Sequence, residues 1–164
     1  MSYFFKADEI FQTGVQIEQN GIKFYQRLAD LTKDAKIKQI YESLRDAEKN
    51  HVEVFRKLLK EVASQKGALQ SVKDFPEEDT TYLKTMADNN VFTGKINLDE
   101  ISRKIKSTKD AVNLALDFEK SSVLFYTQMK KFTRPELGEQ QINKLIKQEE
   151  EHIRILNDLL KKHE

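Results

Sequence analysis

The stretch Glu48-Lys49-Asn50-His51 places a glutamate three residues before a histidine, and Glu149-Glu150-Glu151-His152 does so again. On an α-helix, at about 100° per residue, that spacing leaves the two side chains about 60° apart on one face. A carboxylate and an imidazole side by side can act together on one metal ion. Both glutamates and both histidines are separated by 101 positions (149 − 48 and 152 − 51). The same offset lays Glu18 on Glu119, Phe24 on Phe125, Tyr25 on Tyr126, Thr32 on Thr133 and Leu44 on Leu145. It also lays Leu58-Leu59-Lys60 on Leu159-Leu160-Lys161, all without a gap. The pattern is that of a duplicated helical hairpin carrying half of a site in each copy.

The rest of the chain fits an all-α domain. At 164 residues, spanning 1–164, it suits one domain with a sizeable core. Charged residues are 34% and hydrophobic ones 38%, with five Gly and two Pro, a composition suited to long helices. A net charge of +1 gives no support to a nucleic-acid or anionic-membrane surface. No apolar run approaches the about 20 residues of a membrane span. Residues Met1 to Ile10 lack the basic-then-apolar pattern of a signal peptide, so the expected location is cytoplasmic. The absence of cysteine excludes disulfides, a thiolate nucleophile and iron–sulfur or rubredoxin-type centres within these residues.

Periodicity places the elements. A first helix is expected from after Ser2 to about Leu31, with Phe11, Glu18 and Tyr25 seven apart and Gly14, Ile17, Ile22 and Leu28 beside them. Thr32 is the expected cap of a second helix running to about Gln65 and stopping near Gly67. Its stripe is Ile37, Ile40, Tyr41, Leu44, Glu48, His51, Phe55, Leu58 and Leu59. Hairpin 1 thus covers about 3–66. A crossover of roughly 40 residues, about 67–106, is too long for a simple turn and suits a connection spanning a bundle. It contains an expected turn at Phe75-Pro76, a short helix from Glu77 to Asn89, and a capping box at Asn97-Leu98-Asp99-Glu100 that opens another. Hairpin 2, about 107–162, has a helix from Ser107 or Thr108 to about Phe132, with Glu119 and Tyr126 in its seam. Thr133-Arg134-Pro135-Glu136 reads as a capping box opening the fourth helix, which turns Glu149 and His152 inward.

Each glutamate in these seams is misplaced unless something offsets its charge. A single Glu-x-x-His is weak evidence, because glutamate is abundant on exposed helices. Four carboxylates in one bundle core cost several kcal/mol apiece without compensation, and they repel one another. Two divalent cations resolve the conflict, and two imidazoles complete the ligand set. The candidate metal ligands are therefore Glu18, Glu48, His51, Glu119, Glu149 and His152. Mixed oxygen and nitrogen ligation suits iron, manganese or zinc. Tyr25 and Tyr126, seven residues beyond Glu18 and Glu119, are placed to hydrogen-bond a ligand carboxylate of the opposing hairpin. Glu53, Glu150, Glu151 and His163 read as solvent-facing.

One glutamate on each of two helices and a Glu-x-x-His on each of the other two resembles the ferritin-like di-iron and di-manganese carboxylate superfamily. The chain resembles its rubrerythrin-like branch most closely, through Glu18 with Phe24-Tyr25, Glu48 with His51, Glu119 with Phe125-Tyr126, and Glu149 with His152. The resemblance implies a ferritin-like four-helix bundle of two antiparallel hairpins joined by a long crossover containing short helices. It implies that Glu18 and His51 hold one metal, that Glu119 and His152 hold the other, and that Glu48 and Glu149 bridge them. The implied cofactors are two iron ions, or alternatively two manganese ions. In such proteins the reduced pair reacts with hydrogen peroxide or dioxygen. Typical rubrerythrins carry a further glutamate one turn after the third-helix one; here Ser122 stands there, and its repeat mate is Gly21. The rubredoxin domain of that branch is missing, so electrons must come from a separate donor protein.

The expected function is then a di-iron oxidoreductase that reduces peroxide or dioxygen. Iron oxidation and storage, a di-manganese catalase-like enzyme, and a structural bundle with a vestigial site are the alternatives. Bundles of this kind often pair side by side, and a homodimer is the expected assembly.

Overall fold

The computed structural model describes residues 7–64, 85, 95–133, 136 and 138–163. The first helix's expected start, the stop near Gly67, the Phe75-Pro76 turn and the helix expected over Glu77 to Asn89 fall mainly or wholly outside the described residues. Five helices are described: α1 Ala7–Leu31, α2 Ala35–Ser64, α3 Leu98–Lys104, α4 Thr108–Phe132 and α5 Glu139–Lys161. Helices α1 and α2 form one hairpin and α4 and α5 the other, while α1 meets α4 and α2 meets α5 across the bundle. This is the all-α, ferritin-like arrangement of paired hairpins. Among the described residues, no helix is long and apolar enough to cross a membrane.

The stripes read from the sequence are the buried faces. On α2, Ile37, Tyr41, Leu44, Glu48, His51, Phe55 and Leu58 are buried, whereas Lys49, Asn50, Glu53 and Arg56 are exposed. On α5, Ile142, Leu145, Glu149, His152, Leu156 and Leu159 face inward, and Glu150, Glu151 and His163 are exposed. Ile40, Leu59, Ile153 and Leu160 are half-buried at the edges of these stripes. A 100° stripe is wider than the seam between two helices, so its flanks stay partly wet.

Two helix starts differ from expectation. Asp34, not Thr32, caps α2: its Oδ1 accepts from the amides of Lys36 at 2.8 Å and Ile37 at 3.1 Å. A carboxylate on the second and third amides of a helix also answers the positive end of its dipole. Thr32 Oγ1 instead accepts from the Asp34 amide, setting the turn before the cap. The Thr133 capping box does not open α5 either. Thr133 ends α4, donating its hydroxyl to the Met129 carbonyl at 2.9 Å. Helix α5 begins at Glu139 after Gly138, whose φ of +129° suits glycine. By contrast, Asn97 and Ser107 cap α3 and α4 through Glu100 and Asp110 amides, as their spacing leads one to expect.

Glycine also sets how closely the first hairpin packs. A Cβ at Gly14 would lie 2.6 Å from Phe55 Cε1, inside a ring that is fully buried. Gly14→Ala should therefore lower stability by about 1–3 kcal/mol, the usual cost of overpacking a core. Urea denaturation checks this, and a midpoint equal to that of the parent would mean that the hairpin has slack there.

Candidate metal centre

Six charged or ionisable side chains converge in the middle of this apolar bundle. Glu18 of α1, Glu48 and His51 of α2, Glu119 of α4, and Glu149 and His152 of α5 are all buried. Their origin on four helices follows from the repeat: each hairpin supplies one lone glutamate and one Glu-x-x-His. The rings of His51 and His152 lie nearly parallel, 18° apart, with centroids separated by 5.6 Å.

The side chains form two overlapping sets. In one, Glu18, Glu48, His51 and Glu149 present ligand atoms all within 4.8 Å of one another; in the other, Glu48, Glu119, Glu149 and His152 do the same. Glu48 and Glu149 belong to both sets. His51 Nδ1 stands 3.3 Å from Glu18 Oε2, 3.2 Å from Glu48 Oε2 and 3.0 Å from Glu149 Oε1. His152 Nδ1 stands 3.3 Å from Glu48 Oε1, 3.3 Å from Glu119 Oε1 and 2.9 Å from Glu149 Oε2. One nitrogen cannot satisfy three acceptors.

The unsatisfied atoms test whether cations suit this place. Glu18 Oε2, Glu48 Oε1, Glu119 Oε2, both oxygens of Glu149 and His152 Nδ1 are buried without a hydrogen-bond partner among the described residues. Buried polar atoms left alone are costly and rare. Here they are nearly all lone-pair donors aimed at two shared points, the chemistry that a pair of borderline divalent cations requires. The donor set fits.

The tyrosines lock the hairpins together. Tyr25 of the first hairpin donates its hydroxyl to Glu119 Oε1 of the second, and Tyr126 of the second donates to Glu18 Oε1 of the first. Burial first, and then the nearby carboxylates, push both phenols well above their ordinary pKa, so they remain donors. Phe24 and Phe118 pack on Tyr25, and Phe55 and Phe125 on Tyr126, keeping the surroundings apolar. Ser122 is buried but turns its hydroxyl onto the Phe118 carbonyl at 3.1 Å. A Cβ at its mate Gly21 would press on Phe118 Cζ at 2.9 Å and Glu48 Cγ at 3.2 Å. A side chain there would thus crowd the Glu48 stem.

Sequence reasoning passed over Asn20, a buried residue of α1 whose Oδ1 accepts from Gln16 Nε2 at 3.0 Å. Nothing in the 101-residue repeat singles it out, since its mate is the half-buried Ser121. It also passed over a cavity of about 250 Å³ between α2 and α5, whose lining includes both histidines with Ala47, Asn50 and Gln148.

Without metal, protons must do the neutralising. Burial and the Glu48 and Glu149 charges raise Glu18 and Glu119 well above the carboxylate range. Burial also opposes ionisation of Glu48 and Glu149, but the close approach of the two imidazoles, and of Glu18 to Glu48, holds these two below it. Burial alone would lower the histidines; the surrounding glutamates outweigh it and raise both, His152 to about 12. For Glu18, Glu119 and the histidines, the raised folded-state value means stability that is whole below the unfolded pKa and lost as pH rises. For Glu48 and Glu149 the lowered value means stability lost only in acid. The metal-free protein should accordingly be more easily unfolded by urea at pH 9 than at pH 6. Metal affinity should run the other way, rising with pH, because Glu18, Glu119, His51 and His152 each release a proton on ligation. Proton uptake on loading, in unbuffered titration, would contradict this.

Comparison with known proteins agrees with the architecture. The rubrerythrin family model matches residues 9–107, covering the first hairpin and the crossover. A crystal structure from Thermotoga maritima, of a protein described as a putative ferritin-like diiron-carboxylate protein, superposes with a TM-score of 0.69 at 22% identity over 100% of both chains. None of the curated proteins matches.

Proposed function

Because this chain belongs to the rubrerythrin family, we propose that it is a di-iron oxidoreductase reducing hydrogen peroxide or dioxygen with electrons from a separate donor protein. The observation that carries the reading is the pair of overlapping ligand sets sharing Glu48 and Glu149. In this reading Glu18 and His51 would hold one iron and Glu119 and His152 the other, with Glu48 and Glu149 available to both. Bound there, a reduced iron pair would supply the two electrons that, with two protons, reduce peroxide to two waters.

The protein's own residues set the conditions for that chemistry. Tyr25 and Tyr126 hold Glu119 and Glu18 in orientation across the hairpins, which keeps a carboxylate from swinging away when its charge partner changes. Phe24, Phe118 and Phe125 exclude bulk water from one side. The cavity between α2 and α5 reaches both histidines and is wide enough for a small oxidant but not for a large organic substrate. The sequence contains no cysteine, so these residues themselves hold no thiolate-bound iron centre that could relay electrons.

Stopped-flow mixing of the Fe(II)-loaded protein with hydrogen peroxide tests the reading. A near-ultraviolet ferric absorbance should develop far faster than with the same Fe(II) free in buffer. Equal rates would remove peroxide reduction while leaving the metal centre in place.

A further inference from the structure

Glycine in the middle of a helix costs stability, so its presence at position 21 of the 25-residue α1 asks for a reason. The 101-residue repeat does not supply it, because the mate of Gly21 is Ser122. The packing does. A Cβ at Gly21 would lie 2.9 Å from Phe118 Cζ, 3.1 Å from Phe118 Cε1 and 3.2 Å from Glu48 Cγ. The α1 backbone, the Phe118 ring of α4 and the stem of Glu48 on α2 therefore meet at one point.

Neither neighbour of that point can give way without disturbing a ligand. Glu48 is buried and belongs to both ligand sets. Its Cγ bears the carboxylate, so a push there moves the oxygens that stand 3.2 Å from His51 Nδ1 and 3.3 Å from His152 Nδ1. Phe118 is buried too, with its ring centroid 5.8 Å from that of Phe24 and 6.2 Å from that of Tyr25. A retreating ring would press on Tyr25, whose hydroxyl holds Glu119. At 3.2 Å from a Cβ the neighbour has to yield by a few tenths of an ångström, whereas metal–ligand distances tolerate about 0.2 Å. The site cannot absorb such a displacement.

We propose that Gly21 is a positioning residue for the metal pair: its missing side chain sets where the Glu48 carboxylate stands between the two ligand sets. The inference rests on the metal-centre reading and on no particular reaction. Gly21 acts through Glu48 directly, and through Phe118 and Tyr25 on Glu119. Gly14, on the same helix, provides the comparison. The three nearest neighbours of a Cβ there are all atoms of the Phe55 ring, 2.6, 2.7 and 2.9 Å away, and none belongs to a ligand. Gly14→Ala and Gly21→Ala thus share the gain in helix propensity and the crowding of an aromatic ring. Only the second presses on a ligand stem.

Titration of the chelator-treated full chain with Mn(II), followed by the electron paramagnetic resonance of the free ion, tests the assignment. The parent should take up two ions per chain; no uptake would overturn the metal reading and this inference with it. Gly21→Ala should bind roughly ten- to a hundredfold more weakly, as when a ligand loses its supporting contact. Gly14→Ala should bind like the parent. In the Co(II)-loaded proteins the visible bands, which report ligand geometry, should move in Gly21→Ala and stay in place in Gly14→Ala. Should Gly21→Ala fail to fold, Phe118→Leu removes the closer clash. Adding Gly21→Ala to that background should still weaken Mn(II) binding, because Glu48 Cγ remains in the way. With two ions in the parent, three results would each overturn the positioning role alone: unchanged affinity and bands in Gly21→Ala, equal losses in both glycine variants, or no difference within the Phe118→Leu pair.

Discussion

Anaerobic addition of Fe(II) or Mn(II) to chelator-treated protein should raise its melting temperature by about 10–20 °C. The size follows from linkage. A ligand that binds only the folded state, at a hundred times its Kd, stabilises by about 2.7 kcal/mol per site, so two sites give about 5 kcal/mol. Each kcal/mol moves the melting point of a chain this long by about 2–4 °C. The folded state alone assembles the site, because its ligands come from four helices that are 101 residues apart in matching pairs. The buried, unpartnered oxygens of Glu18, Glu48, Glu119 and Glu149 are the reason to expect the full effect. Before loading, only protons on Glu18, Glu119 and the histidines offset their charge, and cations would replace those protons. Calcium should do much less, since two of the donors are imidazole nitrogens and hard oxygen-seeking cations gain little from them. A melt indifferent to Fe(II) and Mn(II) alike would leave a helical bundle with an empty polar core, and the oxidoreductase reading would go with it.

What the sequence disclosed and what it withheld divide along a physical line. Glu18 and Tyr25 lie seven apart in a stripe of Phe11, Ile17 and Leu28, so helical geometry alone puts them in the core. The repeat then fixes which residues share a level of the bundle. Those inferences rest on periodicity, which the whole helix enforces. Helix starts rest on one or two hydrogen bonds, and several residues compete for them. Thr32 and Asp34 are both competent caps; the carboxylate won, and the threonine hydroxyl took the amide before it. Thr133 looked equally able to open α5, but a hydroxyl at a helix end can bond back to the carbonyl four residues earlier, and it does so to Met129. Spacing is silent too on which imidazole nitrogen faces the glutamates; the fold turns Nδ1 inward in both copies. The hydroxyl of Tyr41 escaped notice for a similar reason. On a stripe it counts as an aromatic core position, and only the packed structure shows its oxygen without a partner among the described residues.

Replacing a shared ligand should cost both metals, and replacing an unshared one should cost one. Glu149→Ala removes the oxygens standing 3.0 Å from His51 Nδ1 and 2.9 Å from His152 Nδ1. It therefore takes a carboxylate from both sets at once, and metal per chain should fall from two to well below one. Glu18→Ala touches only the set containing His51. Its loss leaves Glu48, Glu119, Glu149 and His152 intact, so about one metal per chain should remain. The contrast cannot come from lost stability alone. In the metal-free protein each substitution deletes one buried acid, and removing like-charge repulsion offsets part of the packing lost. Elemental analysis after dialysis against a slight excess of Fe(II) reads the stoichiometry, and the far-ultraviolet signal confirms that each variant is folded. Should both variants keep two metals, the oxygens do not ligate. Should Glu18→Ala lose both while Glu149→Ala keeps one, the bridging role belongs to α1 and not to α5. Iron uptake far above two per chain in the parent would point instead to storage by an assembly, a result that neither variant could imitate.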